Sequence, residues 1–294
     1  MRHYSRAEWE QVFDSILGER LPGRLEQGVR AVSATQNYVL GAKREIGPRV
    51  YKYGLVGAGI GTLGLLYQSP VPAPLQIDLV PLAAYAIGTR VITLTLGNAA
   101  VLANEYAGGW LYVNQGTGIG DCLRIISHPA ALALATCVFT CQDPTTITMV
   151  IANTQCSLVA NPLSGIIVHP SPPTASLVGV PEVTIPIANF GWFQVRGPAA
   201  VLTDGVVYIH RAVRASTGVN GAVSHAIQEF VTNATGAIGA AAGPTQDSAG
   251  VATVILLPGG DAATYDLGHQ QTIVGRVLRV GATTDMSLIN LALE

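Results

Sequence analysis

The chain has 294 residues, of which 49% are hydrophobic and only 12% charged, with a formal net charge of −2 and a mean hydropathy of +0.40. A soluble domain usually carries about a quarter of its residues charged, so a chain this apolar hides much of its surface, in a membrane or against other protein subunits. The near-neutral balance and the lack of any basic run argue against a nucleic-acid partner.

The membrane option fails on pattern. A spanning helix needs about 20 consecutive apolar residues. The longest charge-free run, Pro144–Pro181, contains six prolines together with Ser, Thr and Asn. The N-terminus is charged and amphipathic, unlike a signal peptide. A transmembrane barrel would need an exported precursor and girdles of Tyr and Trp, and aromatics are 6% of the chain. Burial against protein neighbours is the reading that stands.

Charge is also distributed unevenly. Of 34 charged side chains, 15 fall within Met1–Lys52, leaving 19 over the following 242 residues. Ser5 and Glu8 form a capping box, and Trp9, Val12, Phe13, Ile16 and Leu17 follow at helical spacing before Gly18. Arg6, Glu10 and Asp14 occupy the other side. A short helix with such an apolar stripe must dock, and these five apolar residues are the candidate partner-binding set. A second, weaker helical pattern runs over 24–40, with Leu25, Val29 and Val32 on one side.

From Val50 the period changes to two. Strand patterns occupy Arg90–Leu96, Trp110–Asn114, Cys122–Ile126, Thr146–Ile151, Gly165–His169, Phe190–Val195, Val206–His210 and Thr272–Val280. Between them lie turn signals at Gly108-Gly109, Asp143-Pro144, Asn161-Pro162, Asp204-Gly205 and Pro258–Asp261. Ser69–Pro74 and His169–Pro173 read as extended connections that cross between sheets or neighbours. Ala234–Gly243 reads as a mobile loop. The expected fold is mainly β: a short N-terminal helical arm over 1–49, then β-sandwich or barrel-type domains over 50–165 and 166–294, divided by proline density.

No motif carries convincing chemistry. Gly59, Gly61 and Gly64 match the dinucleotide-binding spacing, but that motif needs a helix immediately afterwards. Ser69–Pro74 excludes one, so a flexible hairpin loop is the plainer reading. Gly116–Asp121 offers one carboxylate, whereas Ca²⁺ takes six or more oxygens; a turn between strands accounts for it. Cys122, Cys137, Cys141 and Cys156 form no Cys-x-x-Cys pair and read as small buried hydrophobes of a protein made in a reducing cytoplasm. His128, His169, His210, His225 and His269 are scattered at strand ends and loops. No triad order or nucleophile elbow stands out. The expectation is a protein that is not an enzyme and uses no cofactor or metal.

Several longer segments carry a family resemblance. They are Tyr51–Gly54 with Gly61–Pro70, Tyr106–Pro129, Asn161–Pro170 and Gly191–Gly205. In sequence and order they resemble virion structural proteins encoded in the head-gene region of tailed bacteriophages, over about residues 50–210. The resemblance implies a non-enzymatic role in the particle, with head cement or decoration of the major capsid protein the leading role. Tail or connector placement and receptor (carbohydrate) binding are the alternatives, the last using Trp110, Tyr112 and Trp192 as a sugar platform. A major capsid protein would show a long spine helix, absent from the pattern after residue 50. Expected partners are the major capsid protein and further copies of this chain, as a trimer in preference to a dimer, with no nucleic acid and no membrane. Assembly in the host cytoplasm and a final place on the virion head surface follow from the same resemblance.

Overall fold

The computed structural model describes residue 24, residues 26–59, 61–151, 153–226, 272–281 and 285–293, and the short strands 232–233 and 253–254. The arm helix expected over Ser5–Leu17, with Trp9, Val12, Phe13, Ile16 and Leu17, lies outside them, as do Ala234–Gly243 and His269. Among the described residues there is no helix. The protein is mainly β.

The strands, in chain order, are β1 (Lys43–Ile46), β2 (Arg49–Val56), β3 (Tyr67–Gln68), β4 (Val91–Thr95), β5 (Trp110–Gln115), β6 (Cys122–Ser127), β7 (Thr136–Cys141), β8 (Gln155–Val159) and β9 (Ser164–Val168). They continue with β10 (Leu177–Pro181), β11 (Phe190–Leu202), β12 (Ala212–Ala215), β13 (Val223–His225), β14 (Thr232–Asn233), β15 (Thr253–Val254), β16 (Ile273–Arg279) and β17 (Met286–Ala292).

Ten of these form one sheet in the order β1-β2-β9-β3-β10-β11-β17-β16-β12-β13. Because β2 also pairs with β11, the strands β2, β9, β3, β10 and β11 make a closed circuit. Its interior is filled by Val56, Tyr67, Ile166, Val178, Ile185 and Phe193, one or more from each wall. The thirteen-residue β11 then runs on past the circuit and carries β17, β16, β12 and β13 as an open extension. One side of that extension is a second core containing Val201, Val213, Val274, Val277 and Ile289.

Five strands form a separate antiparallel sheet, β4-β7-β6-β5-β8. All of it comes from the stretch between β3 and β9, and its core draws only on Leu79–Leu158. Ser69–Pro74 is the outgoing link, so this proline-rich stretch crosses between sheets. His169–Pro173, by contrast, joins β9 and β10 of one sheet. The division expected at 165/166 falls inside β9; in space the chain is a five-stranded unit inserted into the ten-stranded one.

The inserted sheet has no open edge. Leu79 exchanges backbone hydrogen bonds with Cys156 of β8 at 2.7 and 2.8 Å, while Leu82 and Val80 bond Thr93 and Thr95 of β4 at 2.9 and 3.1 Å. Segment 79–82 therefore ties the two outer strands into a ring. Unpaired strand edges template aggregation, and closure removes them.

The helical pattern over 24–40 is overturned for the described residues. This segment is irregular and lies across β2 and β11, where Ser33 and Phe190 exchange backbone hydrogen bonds at 3.1 and 2.8 Å. Its own Tyr38 meets Tyr53 and Trp192 beneath, the three rings edge to face at 5.0–5.3 Å. Gln27 holds it down. Its Nε2 donates to Ala31 O and Phe190 O, and its Oε1 accepts from Asn37 and from Tyr53 Oη at 2.8 Å. Burial of three aromatic rings and this network outweigh a weak helical propensity.

Two expected strands are also absent. Around Met149 only an isolated bridge to Tyr85 forms. Val206–His210 is a loop that inserts Val207 into the second core and leaves Val206, Tyr208 and Ile209 exposed.

Candidate functional site

Strand alternation gives the inserted sheet two unlike faces. Ile92, Leu94, Leu111, Leu123, Ile125 and Phe139 point into the ring and are fully buried. The opposite positions face solvent, yet they are scarcely polar. Register places Leu82 beside Thr93 and Thr93 opposite Val138, with Val91 opposite Thr140. Ile126, at an irregularity in the β6–β7 pairing, adjoins Thr140. Leu82, Val91, Ile126 and Val138 are each 41–55% exposed. The result is an outward surface of aliphatic and threonine side chains.

One end of the unit is more apolar still. Segment 96–104 runs antiparallel to 128–135, joined by paired bonds between Val101 and Ala131 at 2.9 and 3.0 Å and by Leu134 N–H to Gly97 O at 3.0 Å. This ribbon is built of alanines and leucines, and Leu102, Leu132 and Leu134 are 66–76% exposed at its surface. Across residues 76–160 there are six charged side chains, Asp78, Arg90, Glu105, Asp121, Arg124 and Asp143, and Asp121 is buried. Large contiguous apolar patches, where a folded protein has them, serve as interaction sites.

The remaining motifs resolve into structural roles. The Asp121 carboxylate accepts from the backbone N–H of Thr146 and Ile147 at 2.9 and 3.2 Å and from the Thr146 hydroxyl, pinning segment 144–147 under the β5–β6 turn. Gly116 sits in that turn at φ +82°, where a Cβ would lie 1.7 Å from Asn153 O. Gly59 and Gly64 have positive φ, and Gly61 pairs with Ile185. No helix follows them; β3 does.

Histidines serve the backbone. His128 Nε2 accepts from Tyr106 N–H at 2.9 Å, and the His169 ring nitrogens lie 2.8 Å from Pro170 O and 2.8 Å from Ala222 O. Cys137, Cys141 and Cys156 are buried, whereas Cys122 faces outward on β6, contrary to the reading of all four as buried. Burial pushes the Cys141 thiol up to about 11 and Cys156 to about 12, so neither is a nucleophile. Among the described residues no three His, Cys, Asp or Glu side chains are grouped to hold a metal. Nor, among them, is any helix long and apolar enough to cross a membrane.

Of the three aromatics considered as a sugar platform, Trp192 is fully buried under the N-terminal segment, with its Nε1 donating to Gln27 O at 3.1 Å. Trp110 and Tyr112 do share the outward face of β5, and Trp110 is 40% exposed.

Comparison with protein-family models, with curated proteins and with solved structures gives no match for this chain.

The apolar surface of the inserted unit was only half legible in the sequence. Low charge announced that surface would be hidden. What the linear pattern lacked was the pairing of two Ala/Leu segments about 30 residues apart, which sets Leu102 and Leu132 on one tip.

Proposed function

We propose that this chain is a non-enzymatic structural protein of a tailed-phage virion, a head cement or decoration protein that clamps the shell of major capsid subunits. The observation that carries the reading is the inserted unit, whose surface has five charged groups and a run of exposed aliphatic side chains. A protein free in the cytoplasm gains nothing from such a surface. A subunit seated between neighbours does, because each large side chain removed from water contributes about 1.5–3 kcal/mol before ordering costs. Permanent interfaces resemble a domain core cut in half. The sequence segments that resemble phage head-region proteins support the same role.

In this reading the β-barrel-type body is the clamp, and the Ser5–Leu17 segment is a helical arm that docks on another subunit through Trp9, Phe13, Ile16 and Leu17. Local three-fold joints of a shell favour a trimer over a dimer. The test is co-sedimentation of purified recombinant protein with particles assembled without it. Saturable binding at a fixed ratio to the shell subunit is expected, together with greater resistance of the loaded particles to heat. Absence of binding to shells, with binding to isolated tails, would replace cement by a tail or connector role.

A second reading has one observation in its favour. Trp110 and Tyr112 lie on the same outward face, as a carbohydrate-binding receptor protein would need. Binding on a glycan array that is lost in Trp110→Ala would support it over the cement role.

A further inference from the structure

The open extension of the large sheet carries a second surface of opposite character. Its inner side is the core of Val201, Val213, Val274, Val277 and Ile289. Its outer side is set by the register. Arg196 of β11 lies opposite Ala292 of β17, and Asn290 of β17 lies opposite Arg276 of β16, which in turn lies opposite Ala212 of β12. Leu288 lies opposite Arg279. Arg214, two residues beyond Ala212 and between buried Val213 and Ala215, falls on the same side and pairs with Ser224 of the edge strand β13. Four arginines thus share one sheet face, interleaved with exposed Met286 and Leu288.

Among the described carboxylates, Asp285 is exposed just before β17 at the end of that face, and no ion pair joins it to these arginines. Glu182 is held by Arg30 and Arg49, and Asp204 by Ser216. None of the four guanidinium groups makes an ion pair or hydrogen bond among the described residues. Two polar atoms there are worse placed still: Arg214 Nε and Ser224 Oγ, on directly paired residues, are both buried without a partner. Desolvation alone lowers the Arg214 pKa from its ordinary value. Cross-strand and diagonal neighbours on one face stand within about 8 Å, where like charges oppose one another. A buried polar group left unpaired costs about 1–3 kcal/mol. The arrival of carboxylates relieves the repulsion among the guanidinium groups.

From this we infer that the outer face of β11, β17, β16 and β12 is a docking surface for an acidic segment of a partner polypeptide, whose carboxylates pair with Arg196, Arg214, Arg276 and Arg279. Planar guanidinium groups bind carboxylates through two parallel hydrogen bonds. The cations here are all arginine with no lysine, and arginine and methionine are enriched at protein interfaces while lysine is depleted. A single-stranded nucleic acid would be met by exposed aromatic platforms as well as cations, and the aromatics of these strands, Phe190, Trp192 and Phe193, are covered or buried. The inference is independent of the virion reading and holds for any acidic polypeptide partner.

Fluorescence anisotropy on the full chain tests it, with a labelled short peptide alternating Glu and Leu as probe. The same peptide with Gln for Glu and an oligonucleotide of equal charge are the comparisons. The Glu peptide is expected to bind, to weaken as salt is raised, and to lose about ten-fold or more in affinity in the Arg276→Glu, Arg279→Glu double variant. Both positions are exposed, and an unchanged melting temperature establishes that the variant is folded. If the double variant does not fold, Arg276→Gln alone is expected to weaken binding several-fold. No binding of the Glu peptide overturns the inference, and is the result expected if another part of this chain already covers the face. Equal binding of the Gln peptide overturns it too, as does tighter binding of the oligonucleotide, which would make the face a nucleic-acid surface.

Discussion

Glu182 shows how one side chain ties distant parts of this chain together. Its carboxylate accepts from Arg30 Nε at 2.8 Å, from Arg49 at 2.7 Å and from Tyr51 Oη at 2.8 Å. Burial opposes its ionisation, but the hydrogen bonds from Arg30 and Tyr51 and the charge of Arg49 outweigh that, holding its pKa below the ordinary 4.5. A depressed carboxylate pKa contributes stability that is fully present above the unfolded value and is lost as pH falls through the folded one. Glu182→Gln is therefore expected to cost about 1 kcal/mol at pH 7, since Arg30 is largely solvated and Arg49 is partly so. That gap should close on titration below pH 4.5, as followed by urea unfolding at each pH; a gap independent of pH would contradict it. The thiols give a second residue-scale outcome. Cys122 alone should react with a thiol reagent in the native protein, and all four cysteines after denaturation. Fast reaction of Cys137, Cys141 or Cys156 in the native state would contradict the burial that raises their pKa values.

At the scale of elements, the β5–β6 turn is where a loop residue organises its surroundings. Asp121→Ala removes the acceptor for two backbone N–H groups and a hydroxyl, and should destabilise the inserted unit by about 2–3 kcal/mol. Hydrogen exchange is expected to rise first at Thr146 and Ile147; unchanged protection there would show that the anchor is dispensable. Strands were legible where alternation was clean, as in Arg90–Leu96, Trp110–Asn114 and Cys122–Ile126. Val206–His210 is as rich in β-branched and aromatic residues, yet it is a loop, because only Val207 finds a core. Strand β1 falls inside the span 1–49 expected as a helical arm, since its Lys43 and Glu45 face solvent at a sheet edge while Arg44 folds over Trp192. Ring closure by segment 79–82 left no pattern at all: backbone bonds to β8 and β4 make it, and any residue but proline supplies both donor and acceptor.

For the whole molecule, the five-stranded sheet comes from the stretch between β3 and β9, and position 165/166 lies inside β9. Proline density at 165–181 suggested a boundary, but those prolines lie within one sheet, and the crossing is made by Ser69–Pro74 and by the return through Asn161. Two β bodies, one nearly uncharged outside and one with an arginine face, suit a protein that works between neighbours. Deleting residues 1–20 is expected to leave the melting temperature of the β body unchanged and to weaken its attachment to particles. Unfolding on deletion, or undiminished attachment, would contradict a docking arm. Immunogold labelling of purified virions, joined to a reconstruction of the same particles, tests the cement role. Label is expected over the head, in fixed proportion to the major capsid protein, with the inserted unit seated against shell subunits. Label confined to the tail, or absent from intact particles, would contradict it.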